Sequence, residues 1–295
     1  MLTENLQILI SGISLGCLFA LLALGFVVVT KATRVLNLAQ GCFVVLGAYL
    51  SYAAHQQWGL PFPAAVACSV AAVAAIAAAI EALVVHRVAS RQIYAPILVT
   101  FGILTIVPPV VAGIWGDSQL NLGDPWGLKH LEIGGLSITQ RDLAVTIITG
   151  TALALFAGFF RFSRMGLAMR ATASDPEAAV AQGISDRLVH RTAWAMAGAL
   201  GALAGTMLAT AAGSGVGPGL EHVAMLALPV IILGGLESPL GAVVAGLVLG
   251  VVQQFAVVRA DIGAGFYDVL PYLLMIGIML VRPQGLFGAK EIRRV

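Results

Sequence analysis

The chain has 295 residues, 59% of them hydrophobic and 10% charged, whereas a soluble globular domain carries roughly 25% charged residues. So few charges cannot cover a folded body of this size in water, which excludes a soluble enzyme. A net charge of +2 without a basic cluster excludes a nucleic-acid binder, and 34 glycines suit helices that pack closely in lipid.

A helix crossing ~30 Å of hydrocarbon needs ~20 apolar residues. Residues 1–5 lack the Lys or Arg of a signal-peptide n-region, and no A-x-A cleavage site follows, so the amino terminus is expected to stay on as the first span. Apolar runs of sufficient length occupy 6–30, 35–54, 62–85, 95–115, 143–160 and 192–212, and two more lie at 240–258 and 267–281. The intervening run 223–235 is short and stops at Glu237-Ser238-Pro239. It reads either as a crossing or as a half-helix that re-enters. The expectation is an all-α polytopic integral membrane protein, a single transmembrane domain over 1–295 with eight or nine membrane-spanning or half-membrane helices.

Lys and Arg are retained on the cytoplasmic side of a membrane. Lys31 and Arg34 share one loop, Arg87 and Arg91 another, and Arg161, Arg164, Arg170, Arg187 and Arg191 a third. Arg282, Lys290, Arg293 and Arg294 follow the last run, and only Lys129, Arg141 and Arg259 remain elsewhere. With nine crossings the four basic segments fall on one face, so the amino terminus is expected outside and the carboxyl terminus in the cytoplasm.

Two loops exceed what a connection needs. The external one, 116–140, carries Asp117, Asp124, Pro125, Trp126 and Glu132; it either contacts an external partner or is a solvated loop with aromatic residues at the interface. The cytoplasmic one, 161–191, contains Ser174-Asp175-Pro176-Glu177-Ala178-Ala179-Val180-Ala181-Gln182-Gly183. Ser174 or Asp175 can cap a helix there, Pro176 suits its first turn, Glu177 completes a Ser-x-x-Glu capping box, and Gly183 can end it in the left-handed conformation. A helix this short is marginal alone in water, and its alanines leave little to insert among lipid headgroups. Docking of another protein on this helix is the favoured reading.

Cys17, Cys42 and Cys68 read as small buried hydrophobes. His55, His86, His130, His190 and His222 are scattered, with no spacing that suggests a metal site or proton relay. Gly12/Gly16, Gly201/Gly205 and Gly246/Gly250 are small-xxx-small pairs for helix contact, and Gly213, Gly215, Gly217 and Gly219 suggest a flexible outer loop.

Glu177-Ala178-Ala179 with Gly183 resembles the first half of the E-A-A-x-x-x-G motif in permease subunits of ATP-binding-cassette importers. The later I-x-L-P portion is absent, which points away from the maltose-type permeases. Gly16 to Gly25, then Asn37-Leu38-Ala39-Gln40-Gly41 and Leu46-Gly47-Ala48-Tyr49, are similar to the LivH-type permeases of branched-chain amino acid importers. So are Gly166-Leu167-Ala168-Met169-Arg170-Ala171, Gly234-Gly235-Leu236-Glu237-Ser238-Pro239-Leu240-Gly241-Ala242 and Arg282-Pro283-Gln284-Gly285-Leu286-Phe287-Gly288. The resemblance implies a permease domain in the bacterial cytoplasmic (inner) membrane whose 161–191 loop is the coupling helix. Arg170, Glu177, Ala178, Ala179 and Gly183 would meet the ATPase. The implied partners are a LivM-like second permease subunit, two ATP-binding-cassette ATPases and an external or periplasmic substrate-binding protein. The chain lacks a G-x-x-x-x-G-K-[ST] loop, so no cofactor is expected on it, with ATP and Mg held by the partner ATPase. The implied substrates are branched-chain amino acids or a related small polar solute; urea, amides and aromatic acids are alternatives within the family.

Polar residues at membrane depth are costly unless they face a cavity or a partner. Asn37 and Gln40 flank a broken or irregular start of the second span, and Thr100 and Thr105 precede a kink expected at Pro108-Pro109. Glu237 stands where the family pattern has a small residue, as a gate or partner contact. These five are the candidates for the translocation path. Glu81 is read as pairing with Arg87, and of Gln253 and Gln254 at most one can face the path. An ion-coupled secondary transporter, the rival reading, needs intramembrane acids or bases, and only Glu81 and Glu237 qualify, both near span ends. A passive channel leaves the capped cytoplasmic helix without a purpose.

Overall fold

The computed structural model describes residues 2–89, 94–127, 130–133, 136–211, 215–217, 219–259 and 264–288. Arg91, Lys129, Ala212, Gly213, Lys290, Arg293 and Arg294, used above, lie outside the described residues. Helix α1 (Leu2–Thr33) is followed by α2 (Gln40–Tyr52), which runs on through a π-helical turn at Ala53–Gln57. Helix α3 (Phe62–Ile80) passes through a second π-helical turn, Glu81–Val85, into α4 (His86–Ala89), and α5 (Ala95–Trp115) comes next. Strands β1 (His130–Ile133) and β2 (Leu136–Thr139) form an antiparallel hairpin with His130 opposite Thr139. The remaining helices are α6 (Gln140–Phe162), α7 (Arg164–Ser174), α8 (Pro176–Ala181), α9 (Asp186–Ala209), α10 (Leu220–Met225), α11 (Ala227–Gly234), α12 (Pro239–Arg259) and α13 (Ala264–Val281).

The fold is an all-α polytopic membrane protein. Among the described residues, six helices are long and apolar enough to cross a membrane, and Leu220–Gly234 and Asp268–Val281 are shorter apolar helices. Contacts at the helix ends set the direction of each segment. At one end Lys31 Nζ donates to the Glu237 carbonyl at 3.2 Å and lies over the Phe160 ring, while Leu286 N donates to Leu233 O at 2.7 Å. At the other, Arg259 Nη2 lies 3.6 Å from Glu4 Oε2, Ser11 Oγ donates to Asp142 at 2.9 Å, and Gln56 Nε2 donates to Leu122 O at 2.8 Å. Taken in order, α1, α2, α3, α5, α6, α9, α10–α11, α12 and α13 alternate in direction between these two ends.

Two of these segments are half-length. The run 35–54 is not helical from its start: α2 begins at Gln40, where Gln40 Nε2 donates to Ala197 O midway along α9 and Cys42 Sγ donates to Ile103 O midway along α5. Residues 34–39 fill the other half as irregular chain, entered through Arg34 at φ 57°. Helix α10 starts at the same depth, since a Cβ on Gly41 would lie 3.4 Å from Glu221. The short run 223–235 is therefore most of a bent helix pair that leads from mid-depth to the Lys31 end.

Contacts between helices come in matched pairs. Helix α1 packs along α12 as α9 packs along α3, and α2 packs on α9 as α11 packs on α1. Helices α2 and α5 touch, as do α11 and α13. Because α1 and α9 run in opposite directions, these are two inverted repeats, an arrangement in which broken helices meet near the midplane. Gly59-Leu60-Pro61 before α3 and Gly235-Leu236 before α12 fill equivalent corners, both glycines at positive φ, 69° and 101°.

Helix α1 is the central post: 89% of its most apolar window is buried, against 11% for α5 and 17% for α6. The glycine pairs explain its tight fit, since a Cβ on Gly12 would meet Val251 Cα at 2.8 Å and one on Gly16 would meet Leu247 Cα at 2.7 Å. Three readings need correction. Helix α5 runs unbroken through Pro108 and Pro109. Cys17 and Cys42 are buried, but Cys68 is exposed, because it lies on the outward face of α3. The 116–140 loop is folded rather than merely solvated: it carries the hairpin, buries Leu122 and sets Trp126 edge-on against Phe62.

Candidate functional site

The break before α2 is built from three of the residues singled out above. Asn37 Oδ1 accepts from Ala39 N at 3.0 Å, which closes the turn into the helix, and Thr100 Oγ1 accepts from Leu38 N at 3.3 Å while donating to Ile97 O. Gln40 lies between Gly25 of α1 and Gly201 of α9; a Cβ on Gly201 would stand 3.0 Å from its amide. All three side chains are fully buried, and Asn37 Nδ2 and Gln40 Oε1 have no hydrogen-bond partner among the described residues. Thr105 is apart from them, on the exposed face of α5, its hydroxyl bonded to Phe101 O at 3.0 Å. Glu237 is exposed in the turn before α12, at the Lys31 end.

The 161–191 loop is a pair of helices rather than one. Ser163 caps α7 through Gly166 N at 2.8 Å, and Gly166 sits so close to α6 that a Cβ would meet Phe160 O at 2.5 Å. Arg170 donates to Phe160 O and Arg161 O and lies over the Phe160 ring. Gly166 and Arg170 thus satisfy and cover the carbonyl end of α6, the helix end most in need of donors and cations. Asp175, not Ser174, caps α8, accepting from Ala178 N at 3.0 Å. Ser174 belongs to α7, so the Ser-x-x-Glu capping box does not form. At the far end Ile184 N donates to Ala179 O and Gly183 N to Val180 O, with Gly183 at φ 83°, a Schellman closure. Ala179 packs inward, while Glu177, Ala178 and Gly183 face outward beside Val180, which is 54% exposed.

The family described as branched-chain amino acid transport system / permease component matches residues 8–279. The chain belongs to this family. The high-affinity branched-chain amino acid transport system permease protein LivH of Escherichia coli is 28% identical, over 98% of this chain and 97% of that protein. BraD of Pseudomonas aeruginosa, a permease protein of the same named system, is 26% identical over 98% of both chains. A probable branched-chain amino acid transport permease of Methanocaldococcus jannaschii is 24% identical, over 94% of this chain and 91% of its own. No solved structure matches the chain.

In this permease, folding brings together groups that the sequence reading left apart. Glu81 pairs with His86 and Arg191, each at 3.6 Å, rather than with Arg87. The π-helical turn at Glu81–Val85 turns it toward α9. Glu81, His86 and His190 offer donor atoms within 4.8 Å of one another. The Arg191 guanidinium on Glu81 Oε2 already supplies the positive charge that a metal ion would bring there. Gln253 is buried, while Gln254 lines a cavity of about 780 Å³. That cavity opens at the Glu4 end, where Ser11, Asp117, Arg141 and Asp268 also line it, and it reaches down to Leu226.

Glu221 was missed altogether, and its neighbour His222 was read only as one of the scattered histidines. The alternating glycines before them suggested an outer loop, yet they begin a helix at half depth, with Glu221 Oε1 3.5 Å from His222 Nδ1. The available signal was the pair of acid and base at the head of the short run 223–235, whose missing half-length had to be supplied by something.

Proposed function

We propose that the chain is one membrane subunit of an ATP-binding-cassette importer for branched-chain amino acids or a related small polar solute. A LivM-like second permease completes the path, two partner ATPases hold ATP and Mg, and an external or periplasmic binding protein delivers the solute. The Lys31 end, with Arg34, Arg87, Arg161, Arg164, Arg187, Arg191 and Arg282, faces the cytoplasm of an inner membrane by the positive-inside rule. Residues at both ends of α1 then put the amino terminus outside.

One observation carries this reading: α8, closed at both ends by its own caps, presents Glu177, Ala178 and Val180 exposed beside the basic end. Such a helix is a docking element for an ATPase groove. Arg170 and Ala179 set its pose from behind. The path runs past the α2 break, where Asn37, Gln40 and Thr100 keep the helix interrupted, with Thr105 on the exposed face of α5 and Glu237 at the cytoplasmic mouth.

Gly183→Val tests the coupling role. A β-branched residue at φ 83° is strained by at least roughly 1–2 kcal/mol, yet a Cβ there meets nothing within 4 Å, so the fold itself is not crowded. The variant should insert normally but lose leucine uptake and co-purification of the ATPase. Full uptake with the ATPase retained would overturn the assignment. A second reading, ion-coupled transport, draws on Glu221 at half depth; uptake that survives a hydrolysis-dead ATPase but stops when ion gradients are collapsed would establish it instead.

A further inference from the structure

We propose that His222 lines the translocation path at half depth and is a side chain that the solute touches there. The inference rests on the import reading above and adds a residue to its path. The depth follows from what surrounds the start of α2. A Cβ on Gly41 would lie 2.9 Å from Leu104 of α5 and 3.4 Å from Glu221 of α10, and the neighbouring Cys42 bonds to Ile103 O midway along α5. His222 follows Glu221, so it is level with the middle of α5 and with Thr105 on that helix's exposed face.

At this depth the polar residues of the α2 break turn into the protein: Asn37, Gln40 and Thr100 are fully buried. His222 does the opposite, with 83% of its side chain exposed. An ionisable side chain open to hydrocarbon is costly, and one at membrane depth faces a partner or a water-filled cavity. Cavities reach α10 on two sides: one of about 780 Å³, open at the outer end, is lined by Gly219, Leu220 and Val223, and one of about 120 Å³ by Glu221. The aqueous route from outside therefore arrives at the helix that carries His222. Glu221 Oε1 lies 3.5 Å from His222 Nδ1. A carboxylate there holds the proton on Nδ1 and leaves Nε2 as an acceptor. An acceptor on a neutral ring suits a passing N–H donor, whether ammonium or amide, and one such contact lets the solute leave again. His222 thus governs the ease of passage rather than the choice of substrate.

The test uses the assembled importer in proteoliposomes, with the exposed Cys68 replaced by Ala. His222→Cys should react with a charged, water-soluble methanethiosulfonate, and the adduct should stop leucine uptake. Leu155→Cys, 69% exposed on α6, should react only with a lipid-soluble maleimide. His222→Ala should lower the maximal uptake rate about tenfold, the loss of one hydrogen bond during passage, without moving the half-saturating concentration. His222→Gln, which keeps a polar group of similar reach, should recover most of that rate, and the ATPase should co-purify with every variant. A thiol at position 222 that reacts only with the maleimide, or with neither reagent because the second permease covers it, would overturn the proposal. So would a full uptake rate in His222→Ala. Labelling does not depend on transport, and the import reading is tested by uptake in the parent importer and by Gly183→Val, so the two fail separately.

Discussion

Gln40 shows how a single side chain can hold a helix interrupted. Its amide bonds to Ala197 O and occupies space that only the glycines at 25 and 201 leave open. Gln40→Leu keeps the size but loses this bond to α9, and it should lower stability by about 1 kcal/mol, read as a drop in the melting temperature of the purified protein. Gly201→Val, which pushes directly on the amide, should cost about 1–3 kcal/mol. The sequence made Asn37 and Gln40 visible as polar residues in an apolar run. It could not show that Gln40 turns inward between α1 and α9, because the glycines that make room for it lie on other helices. Arg170 was likewise legible as part of a motif but not as the cap of α6. Glu221 escaped notice because glycine spacing says nothing about depth in a membrane.

At the scale of elements, helix ends were more legible than helix beginnings at half depth. The α8 caps follow from local chemistry, with Asp175 displacing Ser174 as the cap once α7 claims the latter. The start of α2 and the pairing of α10 with α11 depend on what surrounds them, and hydrophobic runs do not report that. The α1–α12 contact is the stiffest joint, since Gly12, Gly16, Gly246 and Gly250 leave no room for side chains. Gly16→Val should force the two helices apart and lower stability by about 3 kcal/mol, measured as the temperature at which detergent-solubilised protein aggregates. Gly166→Val, whose Cβ would press on the α6 backbone at Phe159 and Phe160, should also cost about 1–3 kcal/mol as it separates α7 from α6, and its distinguishing signature should be weakened ATPase retention.

For the whole molecule, composition placed the chain in a membrane, and among the described residues the basic side chains read as cytoplasmic lie at one end. A reporter cysteine at Glu177 should react only from the cytoplasmic side and one at Asp124 only from outside, with Cys68 replaced by Ala because it is exposed; the reverse pattern would invert the orientation. The inverted repeats were invisible beforehand, since they reside in matched contacts between helices rather than in similar residues. One such contact bears on how the protein is made. Leu286 N and Phe287 N donate to Leu233 O and Gly234 O, so the end of α11 stays unfinished during synthesis until α12 and α13 have followed it. A translocon releasing α10–α11 alone would put a short helix with open carbonyls into lipid, so the last three membrane segments should leave it as one unit.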